Sequence, residues 1–418
     1  MSEKLIIRNF GPIKDVALDL KRIMIFIGPQ ASGKSTIAKL LAIFNNPGFL
    51  QSIDKSSFND AKRDLFDPLD YLSLFKEYHL QSFFKEDSFL SYQLKNHQIE
   101  YSDRKFKLTI DESFAEKIHN SRISLLRKLN ESKNGIRTNV IEEKEDGISI
   151  EIGFTDKELE VIRKIISDKF LDYAMILKKT VYIPAERFFI SLASGLFMNL
   201  ITNNVPIAKN ILNFGADFEK ARNEVSEVDI QFLKAKYKYT DNQDKIILND
   251  GLSMPLLESS SGFQALVPLM VVVNWEKNNS KNQFLIEEPE LNLFPETQKN
   301  LINYLVSSCS IKRDNLEIKS DLFITTHSPY VLTSINNLLF AYRVSKKYPG
   351  KLEEVAKVIP QDSWLNPEDF NAYFIKDGMV RNIFNEKVGM ISENELDNAS
   401  EEINNEFGLL MEIYKSRS

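Results

Sequence analysis

The chain has 418 residues, one cysteine (Cys309), four histidines and a net charge of −6. A single cysteine excludes an intrachain disulfide and a thiolate zinc site, and His79, His97, His119 and His327 offer no metal-ligand spacing. Hydrophobic residues make up 43% and charged residues 27%, no apolar run reaches the roughly 18 residues of a membrane span, and the start does not read as a leader; the expectation is a globular cytoplasmic protein of two or three domains, with no membrane contact and no globally basic nucleic-acid coat.

Lys4 to Asn9 reads as a strand, Phe10-Gly11-Pro12 as a turn, and Val16 to Leu20 as a second strand. Ile23 to Ile27 is a continuous apolar run, the pattern of a strand buried on both faces. A glycine-containing loop follows, then a helix over Lys34 to Phe44. From Gln51 to Lys179 the pattern is mixed. It is helical around Tyr71-Leu72 and Leu74-Phe75 and over Glu158 to Leu177, and strand-like at Phe106-Leu108-Ile110 and Ile148-Ile150-Ile152. This stretch reads as a largely helical insertion, with acids and bases nearly balanced. Core-like sequence resumes at Val181-Tyr182-Ile183-Pro184, followed by a helix through Leu200. Ala235 to Tyr239 and Lys245 to Leu248 form an expected hairpin joined by Thr240 to Asp244. Next come a helix over Gly262 to Trp275, a strand Phe284 to Ile286, a helix Glu296 to Ser307, a strand Leu322 to Thr325 and a helix from Pro329. Strands alternating with helices predict a parallel sheet. Phe370 to Ser418 reads as two short strands and a terminal amphipathic helix. The expected division is 1–50 and 180–380 as two parts of one α/β head, 51–179 as the insertion and 381–418 as a helical extension.

Gly28-Pro29-Gln30-Ala31-Ser32-Gly33-Lys34-Ser35 fits G-x-x-x-x-G-K-[ST] between a buried strand and a helix. The glycines let successive N–H groups turn inward as an anion nest, and the helix N-terminus adds partial positive charge. In this pattern Lys34 reaches the β- and γ-phosphates of ATP, Ser35 ligates Mg²⁺, and Thr36 is placed for the α-phosphate. Glu287-Glu288-Pro289-Glu290 ends the strand from Phe284. Glu287 is the expected metal residue and Glu288 the group that orients or deprotonates the attacking water, while Glu290 reads as a solvated acidic turn. Ser259-Ser260-Ser261-Gly262-Phe263-Gln264 lies at a helix start about twenty residues earlier. It serves either as a plain helix cap or as a second anion site contributed by Ser260, Ser261, Gly262 and Gln264. His327 follows Leu322-Phe323-Ile324-Thr325-Thr326, at the strand end where α/β ligand sites gather, placed to hydrogen-bond a γ-phosphate and respond to its loss.

These four elements in this order resemble the ABC-type ATPase head of the SMC, RecF and OLD families. Gly28–Ser35 then corresponds to Walker A, Ser260–Gln264 to the signature loop, Glu287-Glu288 to Walker B and His327 to the switch histidine; Ile7-Arg8-Asn9-Phe10-Gly11-Pro12-Ile13 resembles the first strand and turn. Ile286-Glu287-Glu288-Pro289-Glu290, Thr325-Thr326-His327-Ser328-Pro329-Tyr330 and Tyr182-Ile183-Pro184-Ala185-Glu186-Arg187 are similar to stand-alone AAA-type ATPases of bacterial anti-phage defence, of Septu, PARIS and OLD-like types. The resemblance covers about residues 1–50 and 180–380. Two departures stand out: Phe263 where many heads carry a second glycine, and Leu293-Phe294-Pro295 where many relatives have Leu-His-Pro. A Q-loop glutamine is missing, and Glu186-Arg187 is assigned the comparable place near the nucleotide.

The resemblance implies an ABC-ATPase-like P-loop fold with a mainly parallel core sheet and an antiparallel β lobe. It implies ATP and Mg²⁺ as cofactors, and a homodimer or higher oligomer in which Ser261 and Gly262 close over ATP bound to the other copy. The chain shows no room for a Toprim nuclease, no HNH signature and no sustained heptads, so a nuclease or toxin is expected on a separate effector chain. The function so implied is an ATP-hydrolysing sensor or regulatory scaffold of a bacterial defence system, triggered by nucleic acid or a phage protein. The alternative is a RecF/SMC-like repair ATPase that clamps duplex DNA as an ATP-dependent dimer, with strongly salt-dependent binding. A non-hydrolysing switch leaves Glu288 without a use, and a transporter ATPase does not fit the insertion.

Overall fold

The computed structural model describes residues 3–45, 68–111, 142–144, 147–149, 179–193, 207–277, 282–313 and 316–392. In chain order the first elements are β1 (Glu3–Phe10), β2 (Ile13–Leu20), β3 (Ile23–Ile27), α1 (Lys34–Phe44), α2 (Pro68–Glu77), β4 (Phe84–Gln93), β5 (His97–Ser102), β6 (Lys105–Ile110) and the small hairpin β7 (Glu142–Lys144) and β8 (Gly147–Ser149). Then come β9 (Lys179–Ile183), α3 (Phe188–Leu192), α4 (Lys209–Glu224), β10 (Glu227–Ile230), β11 (Ala235–Thr240), β12 (Gln243–Leu248), β13 (Ser253–Pro255), α5 (Ser261–Glu276) and β14 (Asn282–Glu287). The chain continues through α6 (Pro295–Ser308), β15 (Ser310–Arg313), β16 (Leu316–Lys319), β17 (Asp321–Thr326), α7 (Pro329–Lys347), α8 (Leu352–Val358), β18 (Phe370–Lys376), β19 (Met379–Asn382), β20 (Phe384–Asn385) and β21 (Met390–Ile391).

Eleven strands form one sheet in the order β6-β5-β4-β1-β2-β19-β18-β3-β17-β14-β9. Its core, β18-β3-β17-β14-β9, is parallel throughout. The other half is a largely antiparallel wing. All residues of β3, β14 and β17 are buried, which explains their continuous apolar runs. Alternate side chains still part to opposite faces. Ile23, Ile25, Phe284, Ile286, Leu322 and Ile324 join the core that includes α5, α6 and α7. Met24, Phe26, Leu285 and Phe323 join a second core with α1 and the antiparallel wing. A smaller antiparallel sheet, β10-β11-β12-β13, forms a β lobe whose Tyr237 and Ile246 share the first core with Phe214 and Phe218 of α4.

The α/β class, the parallel core sheet and the antiparallel lobe agree with the expectation. The β11–β12 turn is tighter than expected: the strands run on to Thr240 and from Gln243, and Asp241 and Asn242 both take positive φ (53° and 57°), as a two-residue type I′ turn requires. β4–β6 lie inside the segment read as an insertion, yet they extend the main sheet from β1. α4 and β10 were not anticipated. Of the helix expected to run through Leu200, Phe188–Leu192 is formed and 194–200 lie outside the described residues, as do the expected helix over 158–177 and the C-terminal helix.

Candidate functional site

Four loops leave the C-terminal edge of adjacent parallel strands: Gly28–Gly33 after β3, Glu288–Phe294 after β14, His327-Ser328 after β17 and Pro184–Arg187 after β9. Register places them side by side, because Ile27 pairs with Thr326 and Thr325 pairs with Glu287. Ligands of α/β sheets bind in such crevices.

Gly28 packs so closely on β18 that a Cβ would meet Ile375 O at 1.9 Å, so no other residue fits there. Gly33 has φ 106° at the start of α1, a conformation glycine adopts at little cost. α1 carries no side-chain N-cap and no acid in its first turn, which leaves its N–H groups and dipole free for an anion. Pro29 lacks an N–H and contributes only its carbonyl. Pro29, Gln30, Ala31 and Ser35 are exposed, whereas Ser32, Lys34 and Thr36 are buried. Lys34 Nζ donates to Gly28 O (2.8 Å) and Pro29 O (2.7 Å), so the ammonium is parked on the carbonyls of its own loop. Burial lowers its pKa from 10.5 to about 8, opposed by Glu288, Glu290 and Glu287.

A polar chain runs from that lysine. Lys34 Nζ lies 3.5 Å from His327 Nδ1, and His327 Nε2 lies 2.9 Å from Glu288 Oε1. A lysine donating to Nδ1 places the ring proton on Nε2, which then donates to Glu288; this tautomer is assigned from the neighbours. Lys34, Glu288 and His327, anticipated from separate motifs, are thus brought together. Glu288 holds φ 44°, and its N–H is fixed to Thr325 O at 2.9 Å. Positive φ in a residue bearing a side chain is costly, and here it turns the carboxylate out of the strand toward His327.

Glu287 points to the buried side. Burial is the main influence raising its pKa, opposed by Lys39 and by the hydroxyls of Tyr182 and Ser35. Among the described residues its Oε1 is buried with no hydrogen-bond partner. An orphaned carboxylate oxygen next to an exposed serine hydroxyl fits a hard divalent cation that draws its remaining ligands from water and phosphate. Among the described residues no group of three or more His, Cys, Asp or Glu could hold a metal by itself.

Ser260 and Ser261 are exposed at the start of α5. A Cβ on Gly262 would lie 3.1 Å from Asn292 O, so the glycine lets the signature-like loop abut the loop after β14. Gln264, expected to contact nucleotide, is buried instead, and its amide nitrogen donates to Leu257 O and Ser259 O (2.8 Å each). Its amide nitrogen thereby holds the loop in shape. Glu290 also differs from the solvated turn expected of it: Oε1 accepts from Thr326 Oγ1 (2.5 Å) and from the His327 N–H (2.9 Å), and Oε2 is buried. It anchors the backbone of the histidine. Arg187 does not project toward a nucleotide. It is 0% exposed and donates to Ala265 O (3.0 Å), Pro184 O (3.2 Å), Glu287 O (2.7 Å) and Glu288 O (2.7 Å). No local sequence signal marks these roles of Glu290 and Arg187, because all their partners except Pro184 lie 36 to 101 residues away.

The parallel sheet with a G-x-x-x-x-G-K-S loop between β3 and α1 defines a P-loop nucleoside-triphosphatase fold. The chain belongs to the AAA ATPase domain family, whose model matches residues 1–332. No curated protein matches it. Among solved structures, it is similar to an SMC head bound to the C-winged helix domain of ScpA, at 12% identity over 91% of this chain and 96% of that one (TM-score 0.37). An SMC head domain from Thermotoga maritima matches at 10% identity over 92% and 98% (TM-score 0.35). An Smc head domain with an extended coiled coil, bound to the C-terminal domain of ScpA and derived from Pyrococcus furiosus, matches at 11% identity over 96% and 99% (TM-score 0.33). Among the described residues no helix is long and apolar enough to cross a membrane.

Proposed function

We propose that this chain binds ATP with Mg²⁺ and hydrolyses it, and that a second copy closes over the bound nucleotide. The chain of contacts from Lys34 through His327 to Glu288 carries this reading, because it joins the cation of the phosphate-loop motif to the carboxylate that ends β14. Lys34 exchanges the carbonyls of Gly28 and Pro29 for β- and γ-phosphate oxygens, while the loop N–H groups and the α1 N-terminus hold the remaining charge. Ser35 and Glu287 would hold Mg²⁺, which supplies charge neutralisation at the phosphates. Glu288 orients water and accepts its proton as the water oxygen bonds to the γ-phosphorus and the bond to the β–γ bridging oxygen breaks, giving ADP and phosphate. His327 positions Glu288 and sits where the γ-phosphate is felt. Phe294 (75% exposed) in the loop after β14, Tyr330 (52%) in the first turn of α7 and Leu257 (55%) just ahead of α5 support burial against another copy.

The setting we propose is a bacterial anti-phage defence system, in which this chain is the ATP-dependent sensor or scaffold and a separate nuclease or toxin is the effector. The Ile286–Glu290, Thr325–Tyr330 and Tyr182–Arg187 segments support it. The test pairs hydrolysis with capture. Lys34→Ala weakens ATP binding at least tenfold, and Glu288→Gln keeps ATP bound while kcat falls by about 10²–10⁴. Hydrolysis at the wild-type rate by Glu288→Gln sinks the assignment of the base. Stoichiometric recovery of a nuclease or toxin with tagged Glu288→Gln from its host supports the scaffold; a lone dimer gripping duplex DNA with steep salt dependence replaces it with a DNA clamp.

A further inference from the structure

α5 carries a proline inside it, Pro268. A proline has no N–H, so the carbonyl four residues earlier, Gln264 O, loses its helical donor. Ser191 of α3 fills the vacancy, its Oγ donating to Gln264 O at 2.7 Å. The next carbonyl, Ala265 O, accepts from Arg187 Nε. Two successive carbonyls at the base of the Ser259–Gly262 loop are thus held by the 187–191 segment, Gln264 O in place of its missing helical bond. The same guanidinium grips Glu287 O and Glu288 O, where the chain leaves β14 and turns at φ 44°. Among the described residues the hydrogen bonds of Arg187 go to carbonyls, while Glu290, Glu288, Glu287 and Glu186 stabilise its charge from further off. A planar fork with fixed donor directions transmits displacement between its acceptors; a lysine, with one flexible nitrogen, does not.

We infer that Arg187 and Ser191 are positioning residues that couple the Ser259–Gly262 loop to Glu288, so that a phosphate gripped by that loop shifts the base of the same chain into place. This rests on the reading of Glu288 given above. In a closed pair of copies the loop touches the partner's nucleotide while Glu288 serves its own, so the link makes occupancy of one site govern hydrolysis at the other. Pro268 supplies the compliance: it leaves Gln264 O hanging from a side chain that can tilt, where a helical bond would not.

The experiment follows amide exchange and steady-state hydrolysis, with and without ATP–Mg²⁺, in wild type, Ser191→Ala and Arg187→Lys. In wild type, ATP protects residues 28–36, 259–266 and 287–292 together. Both variants bind ATP within about threefold of wild type and keep protection at 28–36, but lose it at 287–292, and kcat falls roughly tenfold with little change in KM. Ser191→Ala removes only one hydroxyl, so it remains decisive where Arg187→Lys does not fold. Wild-type kcat and wild-type protection at 287–292 in Ser191→Ala overturn the proposal. A wild type that protects all three segments but does not hydrolyse ATP leaves the coupling standing and sinks the hydrolytic reading of Glu288. A wild type in which ATP protects neither 259–266 nor 287–292 overturns the coupling.

Discussion

Lys34 starts out with its charge partly spent. It is buried, bound to Gly28 O and Pro29 O, and lowered to about 8 by burial. ATP requires the cationic form, and phosphate oxygens stabilise that form, so binding above pH 8 must take up a proton. ATP affinity accordingly falls as pH rises through the free lysine's value, roughly fivefold between pH 8 and 9. Calorimetry in two buffers of different ionisation enthalpy reads both the loss and the proton uptake; a flat Kd across that interval refutes the assignment. Lys34, Glu288 and His327 were legible because short motifs fix each one's place on a strand end. Glu290 was not, since its role depends on the left-handed turn at Glu288 that carries it to Thr326 and the His327 N–H. Arg187 was not either, since carbonyls it holds, at 265, 287 and 288, adjoin it only after folding.

Among elements, the strands of the antiparallel wing carry their own pH dependence. β5 alternates buried and part-exposed residues, and His97 falls on its buried face. Burial depresses its pKa to about 4 from 6.5. The unfolded chain therefore takes the proton first. Stability from this group is whole above about pH 6.5 and drains away as pH falls toward 4. Between pH 7 and pH 5 the loss is about 2 kcal/mol, and the difference in urea midpoint shift between wild type and His97→Gln isolates it. Equal shifts in the two proteins contradict the assignment. β3 and α1 were readable to the residue, because an unbroken apolar run and a Gly-Lys-Ser start have few alternatives. α4 offered a weaker signal: Phe214, Phe218 and Ala221 recur at helical spacing, yet Gly215 and several polar residues dilute it. That β4 pairs with β1 was not legible, because period-two alternation names a strand but not its neighbour.

On the scale of the whole molecule, the proposed closure needs two copies, and Ser261 is exposed at the face that would meet the partner. Ser261→Arg leaves one ATP bound per chain while abolishing the ATP-dependent doubling of mass, which mass photometry follows directly. Doubling that survives the arginine removes Ser261 from the contact, and a wild type whose mass ignores ATP removes the closure itself.

The seat of the phosphate loop has a history in time as well as space. The strand that carries it, β3, lies between β17 and β18, and Gly28 rests against Ile375 O. During synthesis the loop is complete early, yet its flanking strands leave the ribosome only after some three hundred further residues, an interval of roughly fifteen to sixty seconds at ordinary elongation rates. For that interval both edges of an entirely apolar strand are bare, and ATP has nothing rigid to bind. Nucleotide binding at this loop therefore has to wait until β17 and β18 have been made.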